Sequence, residues 1–354
     1  MIAMSVSQPV DVDPAIADFA AIGRWMDERG LPAGEVGAVS SIGGGTQNIM
    51  LRFTRGGREY VLRRGPKHLR AKSNDVIRRE SRLLGAIDDT EVRSPRVIAA
   101  CDDETVIGAV FYLMEPIRGF NPQTELPDLH ANDPEIRRQM GLSAVEAIAR
   151  LGELDYQALG LADYGKPEGF LERQVPRWLR ELDSYTANEG YPGPRIPGVE
   201  QVGDWLERHR PTTWTPGIMH GDCHLANMMF DYDSPQVAAM VDWEMSTIGD
   251  PLLDLGWQLA TRPVPGTVGA GLMGALGTVG GLPTPEEMIE HYGRFSARDL
   301  SAVTWYEVLA CFKLGIVLEG THARAFAGKA PKPVGDFLHA VTLELFEKAR
   351  QLTV

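Results

Sequence analysis

The chain has 354 residues, 44% of them apolar and 23% charged, which suits a folded globular protein and excludes a disordered or collagen-like one. Lysine and arginine number 35 against 48 acidic residues, and this formal charge of −13 argues against a general electrostatic grip on nucleic acid. Three widely spaced cysteines, an odd number, point to a reducing compartment rather than a disulfide framework.

No basic flank precedes an apolar core at the N-terminus, so no secretory signal is expected and the start reads as disordered. Asp13-Pro14 then opens an amphipathic helix running to about Arg29, with Ile16, Phe19, Ile22 and Trp25-Met26 on one face and Gly30-Leu31-Pro32 as its stop. Val36–Ile42, Asn48–Thr54 and Glu59–Arg63 read as three short strands joined by Gly43-Gly44-Gly45 and Gly56-Gly57, an antiparallel meander. A helix follows over Asn74–Ile87, then strands over Val97–Ala100 and Val106–Met114. The stretch Met114-Glu115-Pro116-Ile117-Arg118-Gly119 reads as a connector between lobes.

From Pro134 the texture is helical: Ile136–Leu154, Phe170–Tyr185 and Val199–His209, with helices again from Leu252, Pro285 and Ala302. A β-rich interruption spans Gly217–Val241. The uncharged stretch from Pro263 to Pro285 is rich in glycine and poor in large apolar side chains. It therefore reads as a surface loop or a lid rather than a membrane span. The expected architecture is α+β and bilobal: a small antiparallel-sheet lobe over residues 1–117 and a larger, mainly helical lobe over 118–354, set in the cytoplasm.

The densest polar cluster is His220-Gly221-Asp222-Cys223-His224-Leu225-Ala226-Asn227, and a second apolar run, Val237–Val241, ends at Asp242. Phosphoryl transfer needs this inventory: one carboxylate to take a proton from an acceptor hydroxyl, and a carboxamide and second carboxylate to hold magnesium on nucleotide phosphates. His-x-Asp-x4-Asn, with an aspartate at a strand end shortly after, is the spacing of a phosphotransferase catalytic loop. Asp222 is then the candidate base, and Asn227 and Asp242 the candidate metal ligands. Taken singly, Asp222 and Asn227 read equally as turn caps and His220 as a core histidine. A rival chemistry makes His220, Asp222 and His224 a transition-metal site on one side of a strand, for hydrolysis.

The turn Gly43-Gly44-Gly45-Thr46 can bring backbone amides close to phosphates. Two strands on, Tyr60-Val61-Leu62-Arg63-Arg64 ends in cations, and Glu80 follows on a helix seventeen positions after Arg63. Together Arg63 and Glu80 match the strand cation and helix glutamate of a kinase-like site, or are two surface charges.

With these strings, and with Val241-Asp242-Trp243-Glu244 running on through Gly249-Asp250-Pro251-Leu252-Leu253-Asp254-Leu255, the chain resembles the aminoglycoside phosphotransferase/choline kinase family. The likeness covers nearly the whole chain and is strongest to the phosphotransferase-like domains associated with acyl-CoA dehydrogenases. The resemblance implies a protein-kinase-like fold and an ATP-dependent kinase, with GTP as the other possible donor, that uses Mg²⁺ to phosphorylate a hydroxyl of a small molecule. The charge and composition lead to no expected nucleic-acid or membrane partner, and the oligomeric state is left open. The resemblance further implies Asp222 as base, Asn227 and Asp242 as magnesium ligands, and Gly43, Gly44, Gly45 and Thr46 over the phosphates. Arg63 falls where the family more often has lysine, Glu80 is its helix partner, and the adenine hinge lies at Glu115–Ile117. Asp250 and Asp254 resemble braces of the catalytic loop, and Gly152 stands where the family often has histidine. Arginine keeps the charge but not the geometry of lysine, so a nucleotide-binding pseudokinase is the alternative. Acceptor contacts are expected from the helical lobe, from among Trp243, Glu244, Trp305, Tyr306, Glu319, His322 and Arg324, with a hydroxylated acyl metabolite or an aminoglycoside as acceptor.

Overall fold

A computed structural model describes residues 6–9, 16–42 and 48–354. Six strands form one antiparallel sheet in the order β1-β2-β3-β4-β6-β5: β1 (Val6–Pro9), β2 (Gly37–Ile42), β3 (Ile49–Arg55), β4 (Arg58–Arg64), β5 (Val97–Cys101) and β6 (Phe111–Met114). The expected meander is β2-β3-β4. Two expectations are corrected. The start is not wholly irregular, since Val6–Pro9 adds an edge strand to β2. Residues 104–107 are a turn and 108–109 a bend, with Gly108 at φ 73°, so the last strand begins only at Phe111.

Alternation along the strands separates two cores. Tyr60 and Leu62 of β4 and Phe111 and Leu113 of β6 face α1 (Phe19–Glu28), packing with Ile22, Trp25 and Met26. Val61, Tyr112 and Met114 face the opposite way, toward α2 (Ser73–Ile87) and the rest of the molecule. The helix α1 starts later than the sequence suggested because Asp18 caps it, its Oδ1 accepting from the amides of Ala20 and Ala21; Asp13 and Pro14 lie outside the described residues.

The second lobe is mainly helical: α3 (Asp128–Asn132), α4 (Pro134–Glu153), α5 (Gln174–Ser184), α6 (Val199–Arg208), α7 (Leu252–Thr261), α8 (Gly274–Val279), α9 (Pro285–Tyr292), α10 (Val303–Phe326) and α11 (Lys332–Leu352). Two small antiparallel pairs interrupt it, β8 (Met228–Phe230) with β9 (Val237–Met240), and β7 (Gly217–Met219) with β10 (Thr247–Gly249). The turns leaving β7 and β9 carry the polar cluster. The Pro263–Pro285 stretch is ordered in its middle, where Gly269–Met273 and α8 are helical, and irregular at both ends. Glu344 accepts from the amides of Val268 and Gly269 at 2.7 and 2.8 Å, and Ala270, Met273 and Leu276 are buried. Its glycines permit close packing, since a Cβ on Gly277 would lie 1.9 Å from the Ala270 carbonyl oxygen. Among the described residues no helix is long and apolar enough to cross a membrane.

Candidate active site

Alternation on β4 sends Arg63 to the face of Val61, toward α2, and Arg64 to the face of Leu62, where it reaches the Ile16 carbonyl. The buried stripe of α2 is Ile77, Glu80, Ser81, Leu84 and Ile87, and Glu80 is its one charge. The two meet: Arg63 Nε donates to Glu80 Oε2 at 2.8 Å, with the side chains only 3% and 2% exposed. Arg63 Nη2 also donates to Asp242 Oδ1 at 3.2 Å, and Glu80 Oε1 accepts from the Trp243 amide at 3.3 Å. Burial alone would loosen the proton on Arg63, but Glu80, Tyr112 and Asp242 reverse this and hold the guanidinium charged. Burial pushes the Glu80 carboxyl up, against the pull of Arg63. The planar guanidinium thus bridges two carboxylates from different lobes, a reach that a lysine ammonium lacks.

The second half of the site is the turn after β7. Residues 220–224 are not a strand, so the metal set of His220, Asp222 and His224 on one strand face does not form. His220 Nε2 instead bonds the Val241 carbonyl at 3.0 Å, its ring against Trp243. Asp254, at the start of α7, accepts from the amides of His220 and Gly221 at 2.6 and 2.9 Å. Gly221 sits at φ 85°, and a Cβ there would come within 2.4 Å of the Met245 carbonyl oxygen. Asn227 Nδ2 donates to the Asp222 backbone and carboxylate oxygens at 2.9 and 3.2 Å, and the Asn227 carbonyl accepts from the Val241 amide at 2.9 Å. These bonds hold Asp222 and Asn227 one residue from Asp242, whose φ of 66° turns the chain sharply after β9. Burial would raise the Asp222 carboxyl, but His224, Lys313, His220 and the Asn227 bond together bring it below the usual carboxylate range.

Lys313 was missed in the sequence, although it is the one charge in the run Val308–Leu318 of α10. It lies beneath the turn, donating to the Gly221 carbonyl at 2.8 Å with its ammonium 4.3 Å from the Trp257 ring centre. Burial pushes it down to about 8 despite Asp222 and Asp254 nearby. Asp250 accepts from Tyr306 Oη and from the Leu252 amide, which ties α7 to α10.

Between the lobes lies a cleft of about 440 Å³ lined by Ser40, Ile42, Val61, Met114, Ile117 and Met229, among others. The Glu115 amide is bonded to the Arg96 carbonyl, while neither the Glu115 carbonyl nor the Ile117 amide enters a backbone bond among the described residues. Gly43, Gly44, Gly45 and Thr46 lie outside the described residues. Asn48, just beyond them, donates to Glu244 at 3.1 Å. Of the acceptor candidates, Trp243, Trp305 and Tyr306 are buried packing residues, and Glu319 and His322 bond or pack toward Tyr191 and His339. Gly152 has a packing reason, because a Cβ there would lie 2.6 Å from Pro251.

Comparison with known proteins bears on this arrangement. Acyl-CoA dehydrogenase family member 10 of Mus musculus is 30% identical over 276 residues, 77% of this chain and 25% of that protein. The chain spans well under half the length of the curated relatives it matches. A solved Ralstonia eutropha protein named for the aminoglycoside phosphotransferases is 28% identical, with a TM-score of 0.77 over 94% of this chain and 98% of that one. The GDP and kanamycin complex of APH(2")-IIIa, at 17% identity, shares the fold, with a TM-score of 0.58 over 93% of this chain and 98% of its own. The bilobal architecture is therefore the kinase-like one. The family model described as the phosphotransferase enzyme family matches residues 38–291, and the chain belongs to that family.

Proposed function

We propose that this chain moves the γ-phosphoryl group of ATP, or of GTP, to a hydroxyl of a small molecule. The observation that carries the reading is the bonded unit of Asp222 and Asn227 joined through Val241 to Asp242, which in turn pairs with Arg63. The acceptor oxygen attacks the γ-phosphorus, its proton passes to Asp222, and the nucleoside diphosphate leaves with the bridging oxygen. A carboxyl held below its usual range is anionic and ready to accept that proton. Among the described residues, the Asn227 amide nitrogen and Asp242 Oδ1 are engaged, and the Asn227 Oδ1 and Asp242 Oδ2 oxygens are the hard donors that suit magnesium. When bound there, Mg²⁺ would neutralise charge on the phosphates. Arg63, positioned by Glu80, would meet the phosphates, and the Glu115 carbonyl and Ile117 amide would take the nucleobase edge.

A hydroxylated acyl metabolite is the proposed acceptor class, supported by relatives named for acyl-CoA dehydrogenases; the kanamycin complex makes aminoglycosides the competing class. The test is ATP and GTP consumption, with magnesium, across hydroxyacyl thioesters, other hydroxylated metabolites and aminoglycosides, with Asp222→Asn as control. Acceptor-dependent diphosphate release that the variant lacks supports the reading. Nucleotide-induced stabilisation without transfer to any acceptor would favour a pseudokinase, which the direct Arg63–Asp242 pair also suits.

A further inference from the structure

A second cluster of ligating side chains lies on the hairpin of α10 and α11. Glu319 and His322 stand three apart on α10, hence on one face, with Glu319 six residues and about 9 Å along the helix from Lys313. His339 comes from α11, and Asp336 lies three residues before it. Each helix therefore presents a carboxylate-x-x-histidine pair to the other, a spacing that helical bundles use to hold metals. The helices close tightly here because α11 carries Gly335, where a Cβ would lie 2.6 Å from Ala325 Cβ and 3.3 Å from His322 Cα.

The donors converge. One ligand atom from each of Glu319, His322 and His339 lies within 4.8 Å of the others. Glu319 is fully buried, with Oε2 2.6 Å from His339 Nδ1 and Oε1 accepting from Tyr191 Oη at 2.6 Å. The two imidazoles are stacked, 4.3 Å between centres and 17° between planes. His322 Nδ1 is buried without a hydrogen-bond partner, and the nearest carboxylate oxygen, on Asp336, is 3.8 Å away. An orphaned imidazole nitrogen beside a buried carboxylate and a second imidazole is what a small cation would satisfy.

We propose that Glu319, His322 and His339 form a binding site for a divalent transition ion of the zinc class. Two imidazoles and one carboxylate suit zinc better than magnesium, which prefers oxygen donors. Ligands about 2.1 Å from a tetrahedral ion stand about 3.4 Å apart. Side-chain rotation within the cluster meets that spacing, the ion replacing the proton between Glu319 and His339. Tyr191 holds the carboxylate from behind, as outer partners of metal ligands do. Asp336, half exposed and paired with Lys332, or a water completes the set from the open side. The bound ion fastens the α10–α11 hairpin, and this inference does not rest on the phosphotransferase reading.

The full chain, freed of metal by chelator, should be titrated with Zn²⁺ in saturating Mg²⁺, with bound metal counted by elemental analysis. One equivalent is expected, with affinity falling roughly 100-fold in His322→Ala or His339→Ala and about 10-fold in Tyr191→Phe, the range for removing a ligand or its outer partner. The parent loaded with Co²⁺ should show visible absorption of a nitrogen-ligated ion, a readout that needs no variant. Equal zinc binding by parent and both histidine variants, or no zinc and no cobalt spectrum in the parent, would overturn the site.

Discussion

Two buried cations approach the polar cluster from the two lobes, Arg63 at the turn after β9 and Lys313 at the turn after β7, and their surroundings differ. Arg63, from the sheet lobe, touches two carboxylates, Glu80 and Asp242, and is held firmly charged. Lys313, from the helical lobe, donates to a neutral carbonyl and lies over Trp257, and its ammonium is pushed down to about 8. Burial opposes both charges, and only a bonded carboxylate restores what burial removes. The sheet side of the cleft is thus a salt-bridged clamp, while the helical side is a cation whose proton burial loosens.

The largest test acts on the carboxylate that lies between the two sides, with Lys313 beneath it and Asp242 beside it. Asp222→Asn should retain the nucleotide-induced rise in Tm yet lose transfer by about 10²–10⁴-fold, the usual contribution of a general base; transfer at the parental rate would remove Asp222 from that role. Breaking the clamp comes next. Arg63→Ala leaves Glu80 buried and uncompensated and should destabilise the fold by about 3–5 kcal/mol in denaturant unfolding.

The helical side should respond to pH instead. Between about pH 8 and 10.5 the unfolded chain keeps a lysine proton that the folded chain has released, so Lys313 makes stability rise with pH across that window. Below it the buried charge opposes folding in full. Unfolding free energy followed against pH should carry a slope of up to about 1.4 kcal/mol per unit that Lys313→Met lacks. Equal slopes in the two proteins would contradict the buried ammonium. Smallest is the turn itself: Gly221→Ala forces a Cβ against the Met245 carbonyl at positive φ and should lower stability by about 1–3 kcal/mol.

How far the sequence could be read differs by residue. The spacing of Asp222, Asn227 and Asp242 was visible because turns and strand ends are local, and glycine, asparagine and aspartate mark them. Glu80 was visible by its spacing, a helix glutamate seventeen positions after the strand cation Arg63. Alternation put Arg63 and Arg64 on opposite faces, but not which face meets α2, since both faces of β4 are buried. The helical middle of the Pro263–Pro285 stretch was not legible, because part of what anchors it is Glu344, 76 residues away from Val268 in sequence.

By itself the sequence determined most of the elements in their order, the change from a sheet-rich to a helical texture, and which residues have chemistry to offer, written in short-range periodicity and turn composition. Tertiary structure alone decided that Arg63 reaches Asp242 across 179 positions, that Lys313 lies under Gly221, and that His339 meets Glu319. Those meetings depend on how whole surfaces pack, and the free energy that selects them is spread over many contacts rather than held in any one segment.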